Sequence, residues 1–524
     1  MTGRIAAAVP SLLTALVGLA LWQALASITQ GLFVFAGPAD VLRAIIAEAP
    51  LLFASAGITL KSATIGFVLG NAAAAVLATI ALAVPRVERL ISGVALVFFC
   101  LPFVATGPIL RVIYGVGDGP QIVLAALATY YTTYLCLLVG LRSMPASWLD
   151  LVRSYGRGRV SEIIHVRALA SLPYFTAGLQ IGAPAAFLGA MVGEFTGAER
   201  GLGVLSVRAM RGLDVDMTWA IAALAATLSA LGFWLFGWLG RTLGAGPPPL
   251  LLSASRQDLP RSRAAALTNS VGSFALLTVS ILALWLGLMN VLGLSSFFAK
   301  RPQDVFAFLV TDPGASANRA ILADSFWQTL SLTFPGYLVG LLLGAGLAIL
   351  LVLRPRLAAG MLPIAIALRS VPIVTTAPLL VLALGRGAVG TIVIVAVMIF
   401  FPTLAACLEG MRRTPQSVLD LFASYAASPW KRIFHAQIPA MLPAIFASAR
   451  MAVPAAFLSA TTAEWLATGT GIGSLMALTA STSNYAMLWS AIILLAVAAS
   501  LLYAAVHWFE RRILKTFASE QLAI

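Results

Sequence analysis

The chain has 524 residues, 60% of them hydrophobic and 10% charged. A soluble domain carries about 25% charged residues, so a soluble globular protein is excluded and the solvent is a bilayer. The formal net charge of +14 would suit nucleic acid, but most Lys and Arg lie between apolar runs, where they act as topology signals, and no nucleic-acid partner is expected.

A spanning helix needs about 20 apolar residues. In chain order such runs fall at 6–28, 58–84, 90–110, 121–141, 172–193 and 217–239. After a Gly-Pro-Pro-Pro stretch (Gly246–Pro249) they resume at 271–292, 327–353, 357–384, 391–408, 441–463 and 487–509. The first run follows Arg4 and ends near Ala24-Leu-Ala26, which resembles a signal-peptide cleavage site. It is longer than a signal-peptide core, however, and its Leu19-Ala-Leu-Trp22 recurs as Leu282-Ala-Leu-Trp285, so it reads as a helix. Cys100, Cys136 and Cys407 lie in apolar runs without metal spacing, so reduced structural thiols are expected.

The two sets of six runs are copies. Asp150 and Asp420 mark an offset of 270, which also relates Thr59 to Thr329, Gly66 to Gly336, Pro102 to Pro372 and His165 to His435. Pro184-Ala-Ala-Phe-Leu188 meets Pro454-Ala-Ala-Phe-Leu458, Glu194 meets Glu464, and Gly201-x-Gly203 meets Gly471-x-Gly473. A register kept over such a length indicates a duplicated domain. The expected division is a first domain at 1–241, a linker at 242–270 and a second domain at 271–524.

Arg86, Arg89, Arg142, Arg153, Arg157, Arg159 and Arg167 follow the second and fourth runs, and Arg354, Arg356, Arg412, Arg413, Lys431 and Arg432 follow their counterparts. Arg511, Arg512 and Lys515 follow the last run. Positive residues mark the cytoplasmic side, which places both termini inside. With six runs each, the copies enter from the same side and are related by a pseudo-two-fold axis along the membrane normal.

The loops after the fourth run of each copy, at 147–170 and 417–440, are long, amphipathic and in register. Each carries an acid, Ser-Tyr, bulky apolar positions and His, and reads as a docking element. Here the chain resembles the permease subunits of binding-protein-dependent ABC importers, whose loop runs Glu-Ala-Ala, three residues, Gly, nine residues, Ile-x-Leu-Pro. Asp150 takes the acidic place and Gly156 the Gly, with Val166 after nine intervening residues and Leu169 in place of Pro. In the second copy Asp420 is the acid, Ala426 replaces Gly, and Pro439 is retained. Leu368-Arg-Ser-Val-Pro372, Ser154-Tyr-Gly156 and Glu194-Phe-Thr-Gly with Gly201-Leu-Gly203 are similar to the sulfonate, taurine and nitrate branch.

The resemblance implies an all-α membrane protein of the type I ABC importer permease fold, here twelve transmembrane helices as two parallel six-helix repeats. It implies an inner-membrane location, two ATPase subunits that bind ATP-Mg, a periplasmic or lipid-anchored binding protein, and a surrounding of membrane lipid. It makes Asp150, Tyr155, Gly156, Ile163, Ile164 and His165 coupling residues, with Asp420, Tyr425, Ala426, Trp430, Ile433, Phe434, His435 and Pro439 in the second copy. Val160, Ile163 and Ile164, and Trp430, Ile433 and Phe434, are expected to fill a groove on the ATPase while basic residues meet an acidic rim. Arg157 and Arg159 face Ala427 and Pro429, and Glu162 faces Arg432, so unequal contacts are expected. The His pair is expected to support packing.

The chain carries no cofactor motif of its own. A nucleotide site needs Gly-Lys-Ser/Thr, and Lys61, Lys300, Lys431 and Lys515 are not preceded by Gly. Charges within spans are candidate path residues: Arg369 and Arg450, for an anion or alternatively as snorkelling or ion-paired groups, for example with Glu464. Glu194 and Glu464 either line the outer path or cap the loops at Gly201 and Gly471. An alternative function is a secondary transporter of the major facilitator kind, but Pro85-Arg-Val-Glu-Arg-Leu90 lacks its Gly-x-x-x-Asp-Arg/Lys pattern. No His-Glu-x-x-His or Gly-x-Ser-x-Gly motif supports an enzyme. The expected substrate is a small anion such as a sulfonate, taurine or nitrate; the alternative is a thiamine-precursor pyrimidine or another small metabolite.

Overall fold

The computed structural model describes residues 35–115, 117–144, 146–195, 198–243, 263–354 and 387–517, with a few positions between 18 and 28 and between 357 and 385. Among the described residues every regular element is helical. Eight helices among the described residues are long and apolar enough to cross a membrane. Four belong to the first copy: Ala49–Ala83, Gly119–Arg142, Val160–Phe195 and Val215–Thr242. Their counterparts are Ala315–Leu353, Ala388–Arg412, Pro429–Leu466 and Tyr485–Thr516.

The remaining expected spans fare differently. The run at 90–110 is not one helix: it divides into Pro85–Phe99 and Phe103–Tyr114. Pro102 has no amide hydrogen and pushes the residue before it out of helical geometry, so the chain breaks there. The run at 271–292 lies in a helix that starts earlier, at Arg263, inside the stretch read as linker. Most of 6–28 and 357–384, including Arg369, lies outside the described residues.

Helix Ala49–Ala83 packs by an inverted rule, mostly through small residues. In Ala49–Ala83 the buried face is Ser55, Ala56, Thr59, Ser62, Ala63, Gly66, Gly70 and Ala74, at helical spacing, while Phe53, Val68, Leu69 and Val76 are exposed. Lipid is as apolar as Leu, so small residues that let backbones approach drive association. A Cβ on Gly66 would stand 2.5 Å from the Ile122 carbonyl oxygen, and one on Gly70 equally near that of Ala126. Gly336 and Gly340 press on Ile392 and Ala396 in the same way. The helix Phe103–Tyr114 reaches across to the second copy, where it packs on Ile438–Ala463, Gly471–Ser481 and Tyr485–Phe517, so the copies form one bundle.

Candidate functional site

The two loops after the fourth span fold alike. Helix Ala146–Ser154 is followed by a turn at Tyr155 and Gly156, and the chain re-enters helix at Arg159. In the second copy Gln416–Ser424, the turn Tyr425–Ala426 and re-entry at Pro429 repeat the path. The turn needs a left-handed residue: Gly156 has φ +69° and Ala426 φ +48°. Gly adopts this freely, whereas Ala pays a steric penalty between Cβ and the following carbonyl. The second halves of both loops are the basic ends of the fifth spans, Val160–Phe195 and Pro429–Leu466. Each carries one π-helical turn, Ile163–Arg167 and Ile433–Gln437.

Four exposed apolar pairs stand at the shared offset: Leu151 with Leu421, Tyr155 with Tyr425, Val160 with Trp430, and Ile164 with Phe434. Positions 160 and 164 lie one turn apart and share a face. Position 163 does not. Ile433 is 0% exposed and Phe434 57%, and Ile163 is half-buried. The expectation that Ile433 fills an ATPase groove is therefore corrected: it packs into its own bundle, and Phe434 stacks on Trp430 at the surface, with ring centroids 6.0 Å apart.

The copies brace these elements differently. Arg153 Nε donates to Glu162 across the turn at 2.7 Å, and Arg153 also pairs with Asp150 at 3.5 Å; the Glu162 bond raises the guanidinium pKa above its usual value. Ala423 and Arg432 occupy these places in the second copy, where Gln416 donates to Asp420 at 2.9 Å and the Ser428 hydroxyl accepts from the Lys431 amide. His165 Nδ1 donates to the Ser161 carbonyl at 3.2 Å, and His435 Nδ1 to that of Lys431 at 3.0 Å, so both rings brace their own helix. Pro439 lies inside the continuous span Pro429–Leu466, just after its π-helical turn Ile433–Gln437.

Glu194 and Glu464 are 2% exposed, and the structure gives each the capping role. Thr59 Oγ1 donates to Glu194 at 2.7 Å and accepts from the Leu202 amide at 2.9 Å, while Gly203 N donates to Glu194 at 2.6 Å. Thr329, Glu464, Ile472 and Gly473 repeat the set at 2.9, 2.8 and 2.8 Å. These bonds satisfy amides at the starts of Leu202–Arg211 and Gly471–Ser481 that have no partner within their helices. Glycine at 201, with φ +132°, is required because a Cβ would meet the Glu194 carboxyl at 2.3 Å.

Arg450 also receives a different partner from the one proposed from sequence. Its Nε lies 3.1 Å from Glu510, not beside Glu464, with His507 Nδ1 3.2 Å from its Nη1 and Tyr503 beneath the guanidinium. In the first copy these places hold Gln180, Gly237 and Gly240, and a Cβ on Gly237 would touch the Gln180 amide at 2.5 Å. One copy thus holds an ion-paired cluster where the other holds an amide over glycines. Sequence reading missed Thr59, Thr329, Glu510 and the Arg153–Glu162 brace. The two threonines stood in the repeat register, which marked the positions without marking a role.

Two copies of one helical unit, each presenting the same exposed turn, define a duplicated transport permease core. Residues 66–244 and 336–515 match the family model described as binding-protein-dependent transport system inner membrane component. The chain belongs to this family and contains its domain twice, which sets aside the major facilitator reading and an enzyme. It is an ABC importer permease, a class that works with an ATPase and a substrate-binding protein.

A probable ABC transporter permease protein of Haemophilus influenzae is 34% identical over 194 residues, 36% of this chain and 79% of that protein. The formylaminopyrimidine transport permease protein ThiX of Halalkalibacterium halodurans is 26% identical over 28% of this chain and 58% of its own length. The putative aliphatic sulfonates transport permease protein SsuC of Escherichia coli is 27% identical over 28% of this chain and 55% of its own length. The chain thus spans less than two thirds of the last two relatives.

Proposed function

We propose that one copy of this chain supplies both halves of the translocation path of an ATP-driven importer. It lies in the cell's inner membrane with both termini cytoplasmic, its basic loops facing inward. Two ATPase subunits bind and hydrolyse ATP-Mg and dock on the loops at 147–170 and 417–440, and an external binding protein delivers the solute to the opposite end. The observation that carries this reading is the repetition of the exposed set Leu151, Tyr155, Val160 and Ile164 as Leu421, Tyr425, Trp430 and Phe434. Apolar side chains held out on a rigid turn in a basic setting need a partner groove.

The substrate is a small solute. The sulfonate-type likeness favours a small anion such as a sulfonate, taurine or nitrate. A formylaminopyrimidine-like metabolite is the alternative, because a relative of similar identity is named for it. Mass measurement of the detergent-purified complex tests the assembly: one copy of this chain with two ATPase subunits is expected, and two copies of this chain would overturn it. Binding measurements with the partner binding protein on a sulfonate, nitrate and pyrimidine panel test the substrate.

A further inference from the structure

One apolar cluster joins the copies. It contains Leu124 and Ile394, Leu188 and Leu458, and Phe195 and Trp465, each pair at the 270-residue offset. A residue and its two-fold mate belong to one cluster only when both lie near the axis that relates them. This cluster therefore sits on the pseudo-axis, where a path between the halves must run. Leu124 and Ile394 are 0% exposed, while the other four are partly buried around them.

Its depth is fixed by the helices. Leu124 lies near the start of Gly119–Arg142, and Phe195 ends Ala168–Phe195; both ends face away from the docking elements. Leu188 lies seven residues before Phe195, hence about 10 Å deeper at 1.5 Å per residue. The aromatic pair directly follows Glu194 and Glu464, the residues bonded to Thr59 and Thr329.

We propose that these three pairs form a dry outer gate of the path, with the two Glu–Thr locks as the mounts that hold Phe195 and Trp465 on the axis. Apolar constrictions exclude water and polar solutes by dewetting, so no charged group is needed to close this one. The assignment rests on the importer reading, because it takes the seam between the copies as the path. Nucleotide-driven movement of the docking elements would separate the halves and part the pairs.

The test uses the full complex with its ATPase and binding protein in membrane vesicles. The chain's own thiols at Cys100, Cys136 and Cys407 are buried, so introduced cysteines report alone. Leu188→Cys with Leu458→Cys should cross-link through a short bifunctional maleimide, and uptake should be lost while the ATPase stays bound. Leu188→Cys alone should resist a membrane-impermeant maleimide in the resting state and react once the ATPases are trapped with nucleotide. Phe195→Cys with Trp465→Cys serves if the first pair does not fold. Full uptake by the cross-linked complex, or reactivity indifferent to nucleotide, would overturn the gate and leave the importer reading standing. An unsubstituted chain that retains no ATPase would overturn the importer reading instead.

Discussion

Thr59 and Glu194 lie 135 positions apart in sequence, and Thr59 Oγ1 donates to the Glu194 carboxylate at 2.7 Å. Thr329 and Glu464 stand at the same separation and make the same bond at 2.9 Å. Each threonine also accepts a backbone amide, so one hydroxyl ties the second span, the fifth span and the following short helix together. Thr59→Val keeps the shape and removes the hydroxyl. It should lower stability by about 1–3 kcal/mol, the cost of a buried polar group left without its partner, and Thr59→Ser should recover most of it. Thermal unfolding of the detergent-purified protein measures both, and no change for Thr59→Val would refute the lock.

The left-handed turn separates the copies. Ala426→Gly removes a steric penalty of about 1–2 kcal/mol, offset by about 0.4–1 kcal/mol of added freedom in the unfolded chain. A modest rise in melting temperature is expected. Gly156→Ala should lower it, and equal responses at the two turns would contradict the assigned backbone.

Adjacent residues in the second docking element should fail in opposite ways. Ile433→Ala empties buried space and should cost about 2–5 kcal/mol of stability whatever its effect on partners. Phe434→Ala should leave folding intact and reduce ATPase co-purification. Losing the stacked Trp430–Phe434 pair should weaken binding more than losing Val160 and Ile164, because aromatic anchors dominate interface energies. Co-purification alongside folded yield separates these outcomes, and equal retention of the ATPase by Phe434→Ala and the unsubstituted protein would remove Phe434 from the interface.

Glu510→Ala takes the carboxylate from a buried guanidinium. Breaking one side of such a pair costs about 3–5 kcal/mol, so little folded protein is expected. The triple change Arg450→Gln, His507→Gly and Glu510→Gly installs the first copy's arrangement and should restore much of the yield. Failure of the triple variant alongside success of Glu510→Ala would show that the charges do not act as a unit. Uptake per folded triple variant should match the unsubstituted protein if the ion pair of Arg450 with Glu510 on helix Tyr485–Phe517 is its whole role.

The repeat and eight of the spans were legible because each has a period, either a helical one or the offset between copies. Pro102 was visible as a residue, but hydropathy runs straight through it, so the break between Phe99 and Phe103 was hidden. The inward turn of Ile433 was hidden too, since periodicity gives a spacing but not which face meets the body. Partners distant in sequence were least legible. Glu464 lies nearer Arg450 in sequence than Glu510 does, yet helix packing chooses Glu510.

A two-fold axis through identical subunits obliges every residue on it to be complementary to itself. Phe195 and Trp465 share the axial cluster here, and a symmetric dimer would have had to accommodate two phenylalanines or two tryptophans. Joining the halves lifts that obligation. Each side of the axis can be shaped against a different neighbour, so the chain has the freedom of a heterodimer with its two members always supplied in equal number.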